Sequence, residues 1–266
     1  MIKLKRVLLL EAHPDDVTVS AGGTIARIKR ENPDVEFMLD YACPCTSDLK
    51  NKGNLIEHSK ACKIIGINEN NVHRGKFKTN MLEMHKQELR NIYFKHREEF
   101  DPELVLCPTL HDFHQDHNIV ADCALTIFRD TSSIIGYEVL RSVSPDFKPN
   151  LYVILEQEDV NKKMLALQCY KQQFIVRPYF FNMDAFLSIL LMRGVQAKTK
   201  YAEAVKQMLE EAGYEVDISF HGADGLEKAH EKKFDLVLLD IMLPDMSGWD
   251  IFKALTTKKY NAKYAF

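Results

Sequence analysis

Two short polar clusters hold residue types that could do chemistry together. The first is Ala12-His13-Pro14-Asp15-Asp16 and the second is His114-Gln115-Asp116-His117, about a hundred residues further on. An imidazole and a carboxylate from one loop plus an imidazole from another make three protein ligands with a position open for water, the usual form of a catalytic zinc site. A carboxylate that ligates a metal is not free to act as a base, but a second carboxylate beside it is. Asp15 and Asp16 provide that division of labour. A bound metal lowers the pKa of water from about 16 towards roughly 7 and can polarise a carbonyl. Blander readings exist. An aspartate pair after a strand also caps turns or binds magnesium, and His111, His114 and His117, spaced three apart, suit one side of a loop or helix start. His58, His73, His85, His96, His221 and His230 lack such neighbours in sequence and are expected to play ordinary core or surface roles.

The elements that must position these clusters alternate. Residues 6–10 (RVLLL) form a continuous apolar run suited to a parallel strand buried on both faces. Further strands are expected at Val35 to Tyr41, Leu104 to Cys107, Tyr137 to Leu140 and Leu151 to Leu155. Helical patterns follow Gly22-Gly23 (TIARIKR) and recur at Glu57 to Ile65, Met81 to Phe94, Ile119 to Phe128, Val160 to Tyr170 and Lys200 to Ala212. This alternation predicts an α/β fold: a Rossmann-like, mostly parallel sheet with helices on both faces. Ligands bind such sheets beyond the carboxyl ends of the strands. Both clusters lie there, one after residues 6–10 and the other after the strand ending at Cys107. A second, shorter run follows, with a strand at Tyr214 to Phe220, a helix at Gly225 to Lys232 and a strand at Leu236 to Ile241.

Composition narrows the class. The 266 residues are 46% hydrophobic, enough for a sizeable core, and the net charge of -3 offers no basic tail for nucleic acid or for a membrane surface. The apolar run at Val7 to Leu10 is too short for a signal peptide, and the stretch at Ala185 to Met192 is too short to span a bilayer. Six cysteines without a secretion signal are expected to stay reduced, which points to the cytoplasm.

The first cluster and its surroundings resemble the PIG-L/LmbE-like family of metal-dependent N-deacetylases. The resemblance starts at VLLLEAHPDDVTVSAGGTIARIKR (7–30) and continues through DPELVLCPTLHDFHQDH (101–117), IIGYEVLRS (134–142), FKPNLYVIL (147–155) and RGVQAKTKYAEA (193–204). It implies a deacetylase domain over residues 1–205. In it His13, Asp16 and His117 hold Zn2+ or another divalent metal, and Asp15 acts as the base on metal-bound water. It further implies that protonated His114 stabilises the intermediate and that Asp116 orients a histidine, with His111 and Asp112 at the substrate rim. The implied substrate is a small N-acetylated sugar or glycoconjugate, typically containing glucosamine. Another amide, or a signalling role without catalysis, are the alternatives. Val17, Asn54, Gln172 and Val205 depart from the family's pattern, and Asn54 predicts a missing sugar contact.

Residues 206–256 resemble part of a response-regulator receiver domain, notably in FDLVLLDIMLPDMSGWDIFKAL. Asp240 falls at the phosphoacceptor position, and Pro244 and Gly248 match the loop after it. The receiver's first strand with its acidic pair is replaced by KTKYAEAVKQ, and its fourth and fifth strands would lie beyond Phe266. Residues 206–266 are therefore expected to be an incomplete receiver-like appendage unable to transfer phosphate, or a truncated or fused remnant. So small a fragment is marginal alone. It should dock on the main domain, extend its sheet, or pair with another copy in a homo-oligomer.

Overall fold

The computed structural model describes residues 4–45, 54–208 and 213–265, apart from 218, 220, 240–242, 244, 258 and 259. The chain divides into two compact units, Leu4–Tyr214 and a smaller one formed mainly by Glu215–Phe266.

The large unit is built on a seven-stranded sheet of order β3-β2-β1-β4-β5-β7-β6. Its strands are β1 (Arg6–Glu11), β2 (Glu36–Tyr41), β3 (Val72–Arg74), β4 (Leu104–Pro108), β5 (Ser133–Tyr137), β6 (Leu151–Ile154) and β7 (Ala202–Gln207). Neighbours from β3 to β5 pair in parallel, while β7 runs antiparallel to both β5 and β6. The expected mostly parallel α/β sheet is thus present. Its continuous apolar run has a direct cause: Val7 and Leu9 join the core on one face of β1, and Leu8 and Leu10 join the core on the other. Helices α1 (Asp16–Glu31), α2 (Asn54–Ile65) and α5 (Gln157–Leu167) pack together, as do α3 (Lys86–Phe100) and α4 (Gln115–Phe128). Two further helices, α6 (Lys171–Val176) and α7 (Met183–Gln196), precede β7.

The chain winds outward from β1 through β2 and β3, then returns to place β4 on the other side of β1. That reversal is the topological switch point, where the loops after two adjacent strands diverge and leave a crevice. The loop after β1 holds AHPDD and the loop after β4 holds HDFHQDH, so the topology brings the two distant clusters to one place.

Several elements differ from the sequence expectation. Lys200 to Ala212 reads as helical, yet Ala202–Gln207 is strand β7. The reason is tertiary. Ala202, Glu203, Ala204 and Val205 are all buried between β5 and β6. Glu203 accepts the N–H groups of Gly23 and Thr24 (3.0 and 2.6 Å) and pairs with buried Lys163 at 2.6 Å. The strand expected at Tyr137 to Leu140 lies earlier, at Ser133–Tyr137. Gly136, unfavourable in a strand by propensity, is used because Met208 and Thr109 crowd the space where a side chain would sit. Helix α1 begins at Asp16 and passes through Gly22-Gly23, with a kink at Ala21. A Cβ on Gly23 would fall 2.4 Å from Leu155, which is why the helix tolerates glycine there.

The small unit holds α8 (Gly222–Glu231), β8 (Leu236–Leu238), α9 (Gly248–Thr257) and β9 (Lys263–Ala265), with β8 and β9 paired in parallel. Ala229, Leu239, Ile251 and Leu255 form its core. Asp245 accepts the first N–H groups of α8, from Gly222 and Ala223. Residues 214–217 and 219 adopt no strand, against the expected Tyr214 to Phe220. Asp240 and Pro244 lie outside the described residues. No helix among the described residues is long and apolar enough to cross a membrane. All six cysteines are free thiols.

Candidate metal centre

The tight turn after β1 sets the first ligands. Asp16 opens α1, and its Oδ2 accepts the backbone N–H groups of Ala12 and His13 at 3.1 and 2.8 Å. This folds the carboxylate back over the turn. Beneath it, buried Glu11 accepts Val17 N–H at 3.0 Å and pairs with His58 Nε2 at 2.6 Å. His58 therefore has a partner, Glu11, that its sequence neighbourhood does not reveal. The turn after β4 ends at His114, the N-cap of α4, whose Nδ1 accepts Asp116 N–H at 3.2 Å. One helical turn on, His117 faces back towards the first loop.

Three donor atoms meet. Asp16 Oδ2 lies 3.6 Å from His13 Nδ1 and 3.3 Å from His117 Nε2, and the two ring nitrogens are 3.3 Å apart. A tetrahedral ion with bonds of about 2.0–2.1 Å holds its ligand atoms about 3.3 Å apart, so the triangle already has the size such an ion requires. The outer nitrogens are engaged as well. His13 Nε2 lies 3.2 Å from Asp116 Oδ2, and His117 Nδ1 lies 3.0 Å from Asp112 Oδ2. A carboxylate at the outer nitrogen leaves the inner one as the electron-pair donor, the standard support of a metal-ligating imidazole. A second donor set, His13, Cys43 and Asp116, also lies close together. It is the poorer choice. Burial, and then Asp116, push the Cys43 thiol well up, which keeps it protonated. Asp116 Oδ2 already supports His13 Nε2 at 3.2 Å, the nitrogen that the first set leaves on the outside.

The electrostatics agree with a dication at the first set. Burial works against charge on His13 and His117. Asp116 and Asp16 still push His13 up to about 9, and Asp16 and Asp112 push His117 up to about 10. Burial would likewise raise Asp16, yet His117 and His13 hold it well below its ordinary range. The three carboxylates thus demand two positive charges, which two protons or one divalent ion supply equally. Metal binding would release those protons.

Asp15 stands beside the triangle and caps no N–H of the first turn of α1. Burial and then the Asp16 charge push it up to about 6, with His13 and Arg177 opposing. His114 stacks on His117, with ring centroids 4.6 Å apart, and meets the edge of His13 at 4.7 Å. Burial and the His13 and His117 charges push it down to about 4. Because its Nδ1 is an acceptor, His114 is a neutral imidazole that offers Nε2–H.

The structure therefore gathers His13, Asp15, Asp16, His114, Asp116 and His117 in one crevice. His111 stands aside, with Nε2 3.2 Å from Lys206 Nζ on β7. Asp112, expected at the substrate rim, is instead fully buried behind His117. Three contributors lie outside the sequence reading: Asn80, which acts through its backbone; Arg177, which acts through charge on Asp15; and Ser142, whose Oγ donates to Asp112 at 3.0 Å.

Comparison with known proteins bears on both units. Residues 8–128 match the PIG-L family, described as GlcNAc-PI de-N-acetylase, and residues 195–266 match the response regulator receiver domain. The chain thus contains a PIG-L domain followed by part of a receiver domain. Among solved structures it is similar to N,N'-diacetylchitobiose deacetylase from Pyrococcus horikoshii, with a TM-score of 0.63 and 18% identity over 81% of this chain and 88% of that one. It is also similar to the A40926 pseudoaglycone deacetylase Dbv21, with a TM-score of 0.62 and 17% identity over 77% of this chain and 97% of that one. A third similar structure is GalB, a 4-carboxy-2-hydroxymuconate hydratase from Pseudomonas putida KT2440, with a TM-score of 0.57 and 17% identity over 81% of this chain and 99% of that one. At these identities the likeness establishes the fold. A hydratase among the neighbours means the reaction must be argued from the site. Curated sequence relatives include the transcriptional regulatory proteins DltR of Streptococcus agalactiae (48% identical over 59 residues, 22% of this chain and 26% of that protein) and CusR of Escherichia coli (43% over 61 residues, 23% and 27%). The chain spans about a quarter of the length of these relatives.

Proposed function

We propose that residues 1–205 form a zinc-dependent hydrolase that removes an N-acetyl group from a small, glucosamine-containing substrate in the cytoplasm. The observation that supports this reading best is the His13–Asp16–His117 triangle, sized for one ion, with Asp15 next to Asp16 in the chain. Bound there, the metal supplies Lewis acidity towards water and the amide carbonyl. Another divalent ion could take the same place.

The chain's own groups do the rest. Asp15 takes a proton from the attacking water, a role open to it because its side chain makes no hydrogen bond as the N-cap of α1 and is not one of the three donors. His114 donates Nε2–H to the oxygen that becomes negative as the carbonyl carbon turns tetrahedral. Asp15, now protonated, returns the proton to the departing nitrogen. The products are the amine and acetic acid; the acid's proton passes to the amine or to solvent as acetate forms, and no atom is left over. Asp116 holds His13 and is itself pinned by Asn80 N–H, while Gln115 Nε2 fixes Asn80 O at 3.0 Å.

The decisive experiment pairs metal content with acetate release. The purified chain is expected to bind one zinc and to release acetate from N-acetylated sugars, and Asp15→Ala should keep the metal and lose the activity. No metal in the wild type, or acetate release insensitive to Asp15→Ala, would refute the reading. Residues 206–266 enter this proposal as an interaction segment. Incubation with acetyl phosphate is expected to leave Asp240 unlabelled, and stable labelling there would restore a phosphoacceptor role.

A further inference from the structure

We infer that Asp112 is a positioning residue that fixes His117 for the metal, an inference that rests on the hydrolase reading above. Its carboxylate is fully buried and both oxygens are committed. Oδ2 lies 3.0 Å from His117 Nδ1 and accepts the Ser142 hydroxyl at 3.0 Å. Oδ1 accepts His114 N–H at 2.7 Å. The backbone is held too: Asp112 O accepts Asn118 Nδ2 at 2.8 Å, and Asp112 forms a β-bridge with Val143. One side chain therefore ties the ring of His117 to the backbone that presents His114.

The consequence is chemical as well as mechanical. An anionic acceptor at Nδ1 keeps the ring proton there and leaves the Nε2 lone pair facing Asp16 and His13. The ring cannot turn over without placing a C–H against a buried carboxylate.

Asp112 and Asp116 look equivalent in sequence, yet they should answer differently to the same change. Every partner around Asp112 is a donor: His114 N–H on one oxygen, and His117 Nδ1–H with Ser142 O–H on the other. An asparagine there must turn its NH2 either towards His114 N–H or towards His117 Nδ1–H, donor against donor in both cases, although the Ser142 hydroxyl can turn to accept. Asp116 uses only Oδ2, towards His13 and Asn80 N–H, and its Oδ1 has no partner among the described residues. An asparagine at 116 can turn its NH2 to that position and keep an acceptor oxygen towards His13 and Asn80 N–H.

The test measures zinc affinity directly, by competition between the full chain and a chelating dye, with folding checked by circular dichroism. Outer partners of metal-bound histidines are typically worth about 10- to 100-fold in affinity. Asp112→Asn is expected to weaken zinc binding by about that range, and by more than Asp116→Asn. Nitrogen-15 NMR of the zinc-loaded wild type should find the His117 proton on Nδ1, a readout that does not depend on any variant folding. Zinc binding by folded Asp112→Asn within twofold of wild type, or a His117 proton absent from Nδ1, would overturn the inference and leave the hydrolase reading standing. A wild type that binds no zinc would overturn both.

Discussion

Among its described residues the large unit contains two triangles of two histidines and an aspartate, and they are built differently. In the crevice, His13, Asp16 and His117 stand 3.3 to 3.6 Å apart, and each histidine has its own outer carboxylate. The other triangle joins Asp40 of β2, His73 of β3 and His96 of α3. There one oxygen, Asp40 Oδ2, lies 2.7 Å from both His73 Nδ1 and His96 Nε2. A separation of 2.7 Å is that of a charge-assisted hydrogen bond, with a proton already between the atoms. Three carboxylates serve two histidines in the crevice, whereas one serves two at the sheet edge. Residue type and proximity alone therefore do not make a metal site. A supply of acceptors behind the imidazoles does, because it turns their lone pairs inward.

The contrast can be broken at its strongest point first. His117→Ala removes a ligand and should abolish both zinc binding and acetate release, while His73→Ala should leave the zinc content at one. Metal analysis of the two purified variants decides this. Equal zinc loss in both would end the distinction. Asp15→Asn should follow, with zinc retained and kcat reduced by about 100- to 10,000-fold, the usual worth of a general base. His114→Ala should cost about 100- to 1,000-fold in kcat, as for a single donor to a developing oxyanion, and little in zinc affinity. Steady-state kinetics on zinc-loaded protein separate these cases.

The sequence makes some of this readable and hides the rest for physical reasons. The two loops are legible because a buried strand such as residues 6–10 ends abruptly in polar residues, and because strand–helix alternation implies a switch point. Asp112 was harder. A buried aspartate and a rim aspartate have the same letter, and only the spacing to His114, an aspartate accepting the N–H two residues on, hinted at its inward turn. Asn80 acts through its backbone N–H, which no side-chain pattern encodes. The partners of Asp40, His73 and His96, come from a three-residue strand and a helix far along the chain. Strand β7 reads as a helix because YAEAVKQ has good helix formers, and what overrides them is the buried pairing of Glu203 with Lys163, forty residues earlier. In α1, Gly22-Gly23 resembled a start signal, when the helix had already begun at the metal-facing Asp16.

The sheet-edge triangle yields the smallest effect and the sharpest test of its own character. Burial would raise Asp40, but the hydrogen bonds from His73 and His96 hold it below its ordinary 3.8. The same bond raises His73 above its ordinary 6.5, against a smaller opposing effect of burial. A lowered acid stabilises the fold above its unfolded value and loses that contribution as pH falls through the folded value. A raised base contributes below 6.5 and loses it as pH rises through the folded value. The pair should therefore help most between these limits. His73 is 43% exposed, so solvent screens the bond, and about 0.5 kcal/mol is a fair expectation. That corresponds to about 1–2 °C in Tm for a unit of this size. His73→Ala should melt lower than wild type at pH 5.5, and the gap should narrow at pH 9. Melting curves with added zinc complete the comparison. If the triangle is a hydrogen-bonded brace, zinc should raise Tm by the same amount in both proteins. A rise that shrinks in His73→Ala would make the sheet edge a second metal site and erase the difference between the two triangles.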